Sequence, residues 1–283
     1  MKSFHLHLVS DATGETLHSV ARACLVQFEG VEPVEHVWSM IRTTGQMEKV
    51  VAAIEGHPGV VLYTLVNAGF RQALTDACRR MQLPCISVLD PVFIALGNYL
   101  DLQARGQPGR QHVMDAEYFG RIDAMHFAIA HDDGQMLETI GQADVVLVGV
   151  SRTSKTPTCQ YLANRGVKAA NVPLVPGSPP PTELLALKNG PLVVGLTKDP
   201  GRLVQVRRNR VRMLSQDEET DYTDLEQVKE EVAAARRLFA RQGWQVIDVT
   251  RRSIEETAAS IMALMQQHHE QHPEQLAAND RSE

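Results

Sequence analysis

The chain is predicted to be an α/β protein of two domains with mostly parallel sheets, the second carrying a P-loop-like nucleotide site. Three observations predict this. Short apolar runs alternate with amphipathic stretches of helical period, which is the pattern of βαβ units. At 283 residues the chain is long for one ordinary domain and comfortable for two. The alternation breaks once, at "QARGQPGRQH", Gln103 to His112, where Gly, Pro and Arg follow no period and mark a linker.

In the first block, Phe4–Val9, Val34–Met40, Val60–Leu65 and Cys85–Leu89 read as strands. They alternate with helices at Gly14–Phe28, Gln46–Glu55, Ala68–Met81 and Pro91–Gln103. A helix at Ala116–Ala130 follows the linker and ends in "HDDG". The second block opens on the strand Ala143–Val148 and a helix starting near Lys155. Strands at Ala169–Leu174, Leu192–Leu196 and Gln245–Val249 follow, with an Arg-rich helix in "PGRLVQVRRNRVRML". Helices at Thr223–Gln242 and Ser253–Gln266 complete the block. The expected domains are therefore 1–108 and 109–267, with 268–283 a polar, disordered tail.

Composition narrows the function. The hydrophobic fraction is 43% and the charged fraction 22%, as in soluble globular proteins. A net charge of −6 argues against a broadly basic, nucleic-acid-binding surface. No apolar run approaches a membrane span, and the opening run is too short for a signal peptide. Cys24, Cys78, Cys85 and Cys159 form no C-x-x-C pair, so free thiols in a reducing cytoplasm are expected. The one H-x-x-x-H spacing, His268 to His272, lies in the polar tail and no H-E-x-x-H occurs, so a structural or catalytic metal site is not expected from spacing. His5 and His7 alternate along a strand and read as residues of one sheet face, and Trp38 and Trp244 read as packing residues.

The informative stretch is "VVLVGVSRTSKTPTCQYLA", Val145 to Ala163. From Gly149 through Val150, Ser151, Arg152, Thr153, Ser154 and Lys155 to Thr156 it matches G-x-x-x-x-G-K-[ST] except at Ser154. A buried strand leads into it and a helix follows. That arrangement aims backbone N–H groups and a helix N-terminus at an anion. Lys155, expected at an exposed loop–helix junction, is placed to reach phosphate, and the Thr156 hydroxyl to hold magnesium. Pro157 suits the first turn of a helix, where a missing N–H costs nothing. Ser154 is tolerable in the loop if its φ is negative. The plain alternative is an ordinary capped strand–loop–helix turn. For a magnesium-binding aspartate the candidates are Asp199 and Asp248, neither of them clean.

Taken with "YLANRGVKAANVPLVPG", "HDDG", "LVSDATGET" and "VIDVTRRSIEETA", the loop resembles the pyruvate, phosphate dikinase regulatory proteins. The phosphoenolpyruvate synthase regulatory proteins are near relatives, and the likeness runs from about residue 4 to 267. The resemblance implies a bifunctional serine/threonine kinase and phosphorylase. Such an enzyme uses ADP to phosphorylate and inactivate a threonine of the dikinase. It then removes the phosphate with inorganic phosphate, releasing pyrophosphate. The protein substrate is the dikinase, or alternatively the synthase. From the residues alone, a small-molecule kinase and a nucleotide-sensing module without catalysis stay open, as does a homodimer.

Other residues are weighed against simpler roles. Asp132 and Asp133 are candidates for a general base or a magnesium ligand, against a helix end capped by Gly134. Arg208 and Arg212, one turn apart, are candidates for the incoming phosphate or an acidic partner, against a solvated helix face. Arg251 stands where a strand ends, the edge at which α/β sheets bind ligands. Ser253 and Glu256 next to it have the spacing of a capping box. "SDATGET", Ser10 to Thr16, is a candidate second anion site or docking loop, against a capped helix start.

Overall fold

A computed structural model of the chain describes residues 2–103, 106–107, 116–187, 190–213 and 221–271. It divides into two compact units, Met1–Val113 and Met114–Glu283. The expected linker lies outside the described residues except for Gln103, Gly106 and Gln107, and so does the tail beyond Gln271.

The N-terminal unit runs β1 (Lys2–Val9), α1 (Glu15–Leu25), β2 (Val31–Trp38), α2 (Thr44–Gly56), β3 (Gly59–Tyr63), α3 (Ala68–Arg80), β4 (Cys85–Ser87) and α4 (Asp90–Leu100). Its strands are all parallel, in the order β2-β1-β3-β4. The period of two in β1 sends Leu6 and Leu8 against Leu17 and Ala21 of α1. Val9 packs on the other face among Met47, Val50, Ile54 and Leu74. His5 and His7 belong to a ring cluster with His36 and His57, the His7 and His36 centroids lying 4.5 Å apart. The fully buried His7 ring accepts from the Trp38 indole at Nδ1 and donates from Nε2 to the His57 carbonyl at 2.8 Å. Burial is the main cause that lowers its pKa. Thr43 and Gln46 close a capping box on α2, worth about 1 kcal/mol.

The C-terminal unit runs α5 (Ala116–Ala130), β5 (Val145–Gly149), α6 (Lys155–Ala163), β6 (Ala169–Pro173), α7 (Thr182–Leu185), β7 (Leu192–Thr197), α8 (Pro200–Met213), α9 (Leu225–Gln242), β8 (Gln245–Asp248) and α10 (Ile254–Gln271). Its sheet is also parallel, ordered β6-β5-β7-β8, so both units share one winding. β5 and β7 are covered on both faces, which is why they read as unbroken apolar runs. Val146, Val148 and Val193 pack against Leu203, Val232 and Phe239 from α8 and α9. Val145, Leu147 and Leu196 pack against Leu162 and Ile261 from α6 and α10. Gly195 of β7 lets α9 lie close: a Cβ there would come 2.5 Å from the Phe239 ring.

Helix ends follow side-chain chemistry. Asp224 accepts from Gln227 N, so α9 begins at Leu225 and not at Thr223. The Ser253–Glu256 capping box forms as its spacing predicts. The helix it starts runs to Gln271, past the expected end at Gln266 and into the first residues of the expected tail.

Candidate functional site

The candidate site lies at the carboxyl edge of the C-terminal sheet. β5 is flanked by β6 on one side and β7 on the other, so its C-terminal end is the switch point where crevices open in such sheets. Gly149 ends the strand under close packing. A Cβ there would meet the Leu196 carbonyl oxygen at 2.6 Å and Thr153 Oγ1 at 2.9 Å. Thr153 is fully buried and its hydroxyl donates to the Val150 carbonyl at 2.9 Å, folding the loop back on its root.

Ser154 corrects the sequence-based expectation. Its φ is +63°, in the left-handed region, and Arg152 is there too at +71°. The glycine-like geometry of the position is kept although the glycine is not. Ser154 makes no side-chain cap bond at the start of α6. A β-carbon in this region costs about 1 kcal/mol or more. Ser154→Gly should therefore raise stability by about 1 kcal/mol, read as a higher Tm. A lower Tm would show that the hydroxyl stabilises the loop.

Lys155 also departs from expectation. Its position in the sequence suggested an exposed junction, yet only 6% of it is exposed. Its ammonium donates to the carbonyls of Gly149 at 2.9 Å and Val150 at 3.0 Å. Burial pulls its pKa down from 10.5 to about 8, against the opposing pull of Asp133 first and then Cys159 and Asp132. The strand and the helix start thus place the lysine inside the loop, with both predicted aspartates close enough to act on it.

The two aspartates differ. They occupy a single 3-10 turn, Asp132–Gly134, after α5. Asp132 Oδ1 accepts from Thr156 Oγ1 at 2.9 Å and from Asn171 Nδ2, and Asn171 also reaches Thr156 Oγ1 at 2.9 Å. Asp133 is exposed and left-handed, at φ +53°, and among the described residues its side chain has no hydrogen-bond partner. The turn is fixed from behind by His131, which is buried, stacked on Phe127 and bonded to Thr139. Gly134 is thus part of this turn and does not cap α5, which ends at Ala130.

On the other side of the loop stands Arg207, 1% exposed and paired with Glu231 at 2.7 Å. It also donates to the carbonyls of Ser151 at 3.4 Å and Tyr222 at 3.1 Å, with the Tyr222 ring 4.5 Å from its guanidinium carbon. Lys198 reaches the Arg152 carbonyl at 3.5 Å, and burial lowers its pKa. The structure therefore brings Asp132, Asp133, Lys155 and Thr156 together. Arg208 and Arg212 lie exposed on α8, and Arg207 is the residue of that helix that bonds the loop. Arg251 is exposed beyond β8, while its neighbour Arg252 bonds Ser260 of α10. Asp199 caps α8, and Asp248 is engaged by Thr250 and Arg236. In the N-terminal unit, Ser10 bonds Thr64, and Asp11 accepts from the backbone of Val66 and Asn67.

Asn171, Arg207, Tyr222, Glu231 and Lys198 were not singled out from the sequence. Two of them carried a signal. Asn171 is a polar residue inside an apolar strand, and Arg207 falls at helical spacing from Leu203, Val204 and Val211.

Fold and site define a class: a doubly wound parallel α/β protein with a buried lysine in the loop after its central strand. The model of the family described as Kinase/pyrophosphorylase matches residues 6–262. The chain is 62% identical over 268 residues to a protein of Paramagnetospirillum magneticum, covering 95% of this chain and 86% of that one. It is 56% identical over 262 residues to one of Rhodospirillum rubrum (93% and 95% covered) and 55% identical over 262 residues to one of Caulobacter vibrioides (93% and 83%). All three are provisionally named pyruvate, phosphate dikinase regulatory protein. The chain belongs to the Kinase/pyrophosphorylase family, whose description supports a phosphotransferase role. Among the described residues no helix is long and apolar enough to cross a membrane.

Proposed function

We propose that this protein reversibly phosphorylates a threonine of pyruvate, phosphate dikinase. ADP is the donor in one direction, and inorganic phosphate is the acceptor, with release of pyrophosphate, in the other. The observation that carries the reading is the convergence of Lys155, Thr156, Asp132 and Asp133 on one loop, in a chain of the Kinase/pyrophosphorylase family. The names of the relatives supply the partner.

Each chemical task has a residue suited to it. The loop Gly149–Thr156 holds the phosphates through its backbone N–H groups and the start of α6. Lys155 neutralises the transferred group, and phosphoryl transfer needs chiefly such positioning and charge. Asp133, exposed beside the loop, takes the proton from the threonine hydroxyl as it attacks. Asp132 holds Thr156 and Asn171.

Magnesium fits beside them. Asp132 Oδ1 and Thr156 Oγ1 stand 2.9 Å apart. Adjacent oxygens around this ion, at 2.0–2.1 Å from it, are spaced by about the same distance. When bound, it would offset charge on the phosphates. Arg208, Arg212 and Arg251 are assigned to the dikinase surface or incoming phosphate, since their exposure leaves them available to an acidic partner.

The test is mass spectrometry of the dikinase after incubation with this protein and ADP. The expected result is one added phosphate on a threonine, removed again by inorganic phosphate with pyrophosphate released. Modification of phosphoenolpyruvate synthase instead would change the partner. No phosphorylation of either protein would overturn the reading.

A further inference from the structure

Resting on that reading, we propose that Tyr222 and Arg207 are positioning residues that set the Ser151–Arg152 turn for phosphate. The turn needs an external hold. Arg152 is left-handed at φ +71°, two residues before the left-handed Ser154, so the loop contains two conformations that an isolated chain disfavours. Local hydrogen bonds secure its two ends, through Thr153 to Val150 and through Lys155 to Gly149 and Val150.

The middle is held from outside. Arg207 Nη2 donates to the Ser151 carbonyl at 3.4 Å, and the Tyr222 hydroxyl lies 3.1 Å from Ser151 Oγ. Arg152 Nε donates to the same hydroxyl at 3.4 Å. One phenol oxygen thus fixes two of the loop's side chains, both of which carry donors that a phosphate would take.

Arg207 in turn fixes Tyr222. It donates to the Tyr222 carbonyl at 3.1 Å and lies under its ring. Its own position is set by two bonds to Glu231, at 2.7 Å and 3.2 Å. With 1% of it exposed, Arg207 is too deep to contact a substrate directly, so it works through the residues it holds. Glu231 also lines a groove of about 510 Å³ between α9 and the segment after β6, which reaches the loop at Val150.

Tyr222→Phe keeps the ring over Arg207 and removes only the hydroxyl. Isothermal titration with ADP and with inorganic phosphate should show each dissociation constant weakened about fivefold, the effect of one lost hydrogen bond. The loss in turnover should be carried by KM rather than kcat. Arg207→Lys keeps a charge for Glu231 but cannot hold the Ser151 and Tyr222 carbonyls together, and should weaken both ligands further. If Arg207→Lys fails to fold, Tyr222→Phe still decides. A folded Tyr222→Phe protein with unchanged constants, or one whose only change is a lower Tm, overturns the inference while the functional reading stands. An unsubstituted protein that binds neither ADP nor phosphate overturns the functional reading, and the inference with it.

Discussion

Lys155→Met should sharply reduce phosphoryl transfer in both directions while leaving the fold as stable as before, or more so, at neutral pH. The loss in kcat is expected to be about 10²–10³-fold, the scale on which one preorganised charge or donor matters in a dry site. The stability argument follows from where the amine is. Its two acceptors keep other donors: Leu174 N bonds the Gly149 carbonyl and Thr153 Oγ1 bonds that of Val150. Removing the ammonium therefore strands no carbonyl, and it removes a buried charge whose pKa has fallen to about 8.

The same shift fixes the pH dependence. Below about pH 8 the amine is charged in both folded and unfolded chains, and its burial counts against the fold. Between about 8 and 10.5 the unfolded chain holds a proton that the folded chain has released, so stability rises with pH across that window. Lys155→Met should lack this rise in a series of denaturation curves. On the proposed role of the ammonium in holding phosphate, kcat/KM should fall as pH climbs through about 8. A variant that transfers phosphate at near-normal rates would remove the loop from the mechanism. Loss of the ADP-driven direction alone would mean that the two activities use separate sites.

The second large effect separates the adjacent carboxylates. Asp133→Asn should lower kcat by about 10²–10⁴-fold, the usual contribution of a general base, with little change in Tm. Asp132→Ala should act first on stability. It leaves the Thr156 hydroxyl and the Asn171 amide without their shared acceptor, at a cost of about 1–3 kcal/mol. Rate measurements beside thermal melts distinguish the two. Near-normal turnover by Asp133→Asn would exclude it as the base, and matching losses in both variants would mean that the pair acts as one unit.

By itself the sequence determined the α/β class, the strand–loop–helix around Gly149–Thr156 and the Ser253–Glu256 cap. These depend on neighbours in the chain: the apolar run of β5, a proline allowed in a first turn, and a serine three residues before a glutamate. It also marked Asp132 and Asp133, as a pair ahead of a glycine. Tertiary structure decided what those residues do. Ser154 takes a positive φ because the packed strand and helix on either side over-determine the turn between them. Lys155 is buried because the loop folds back over it, which no local spacing encodes. Asp132 and Asp133, neighbours of the same type, part company because only one of them meets Thr156 and Asn171. The arginines of α8 show the same limit. Five lie between Arg202 and Arg212, and Arg207 holds the loop because Glu231, Tyr222 and Ser151 come to it from distant parts of the chain. Burial and long-range partners choose among chemically identical side chains, and neither exists until the chain has folded.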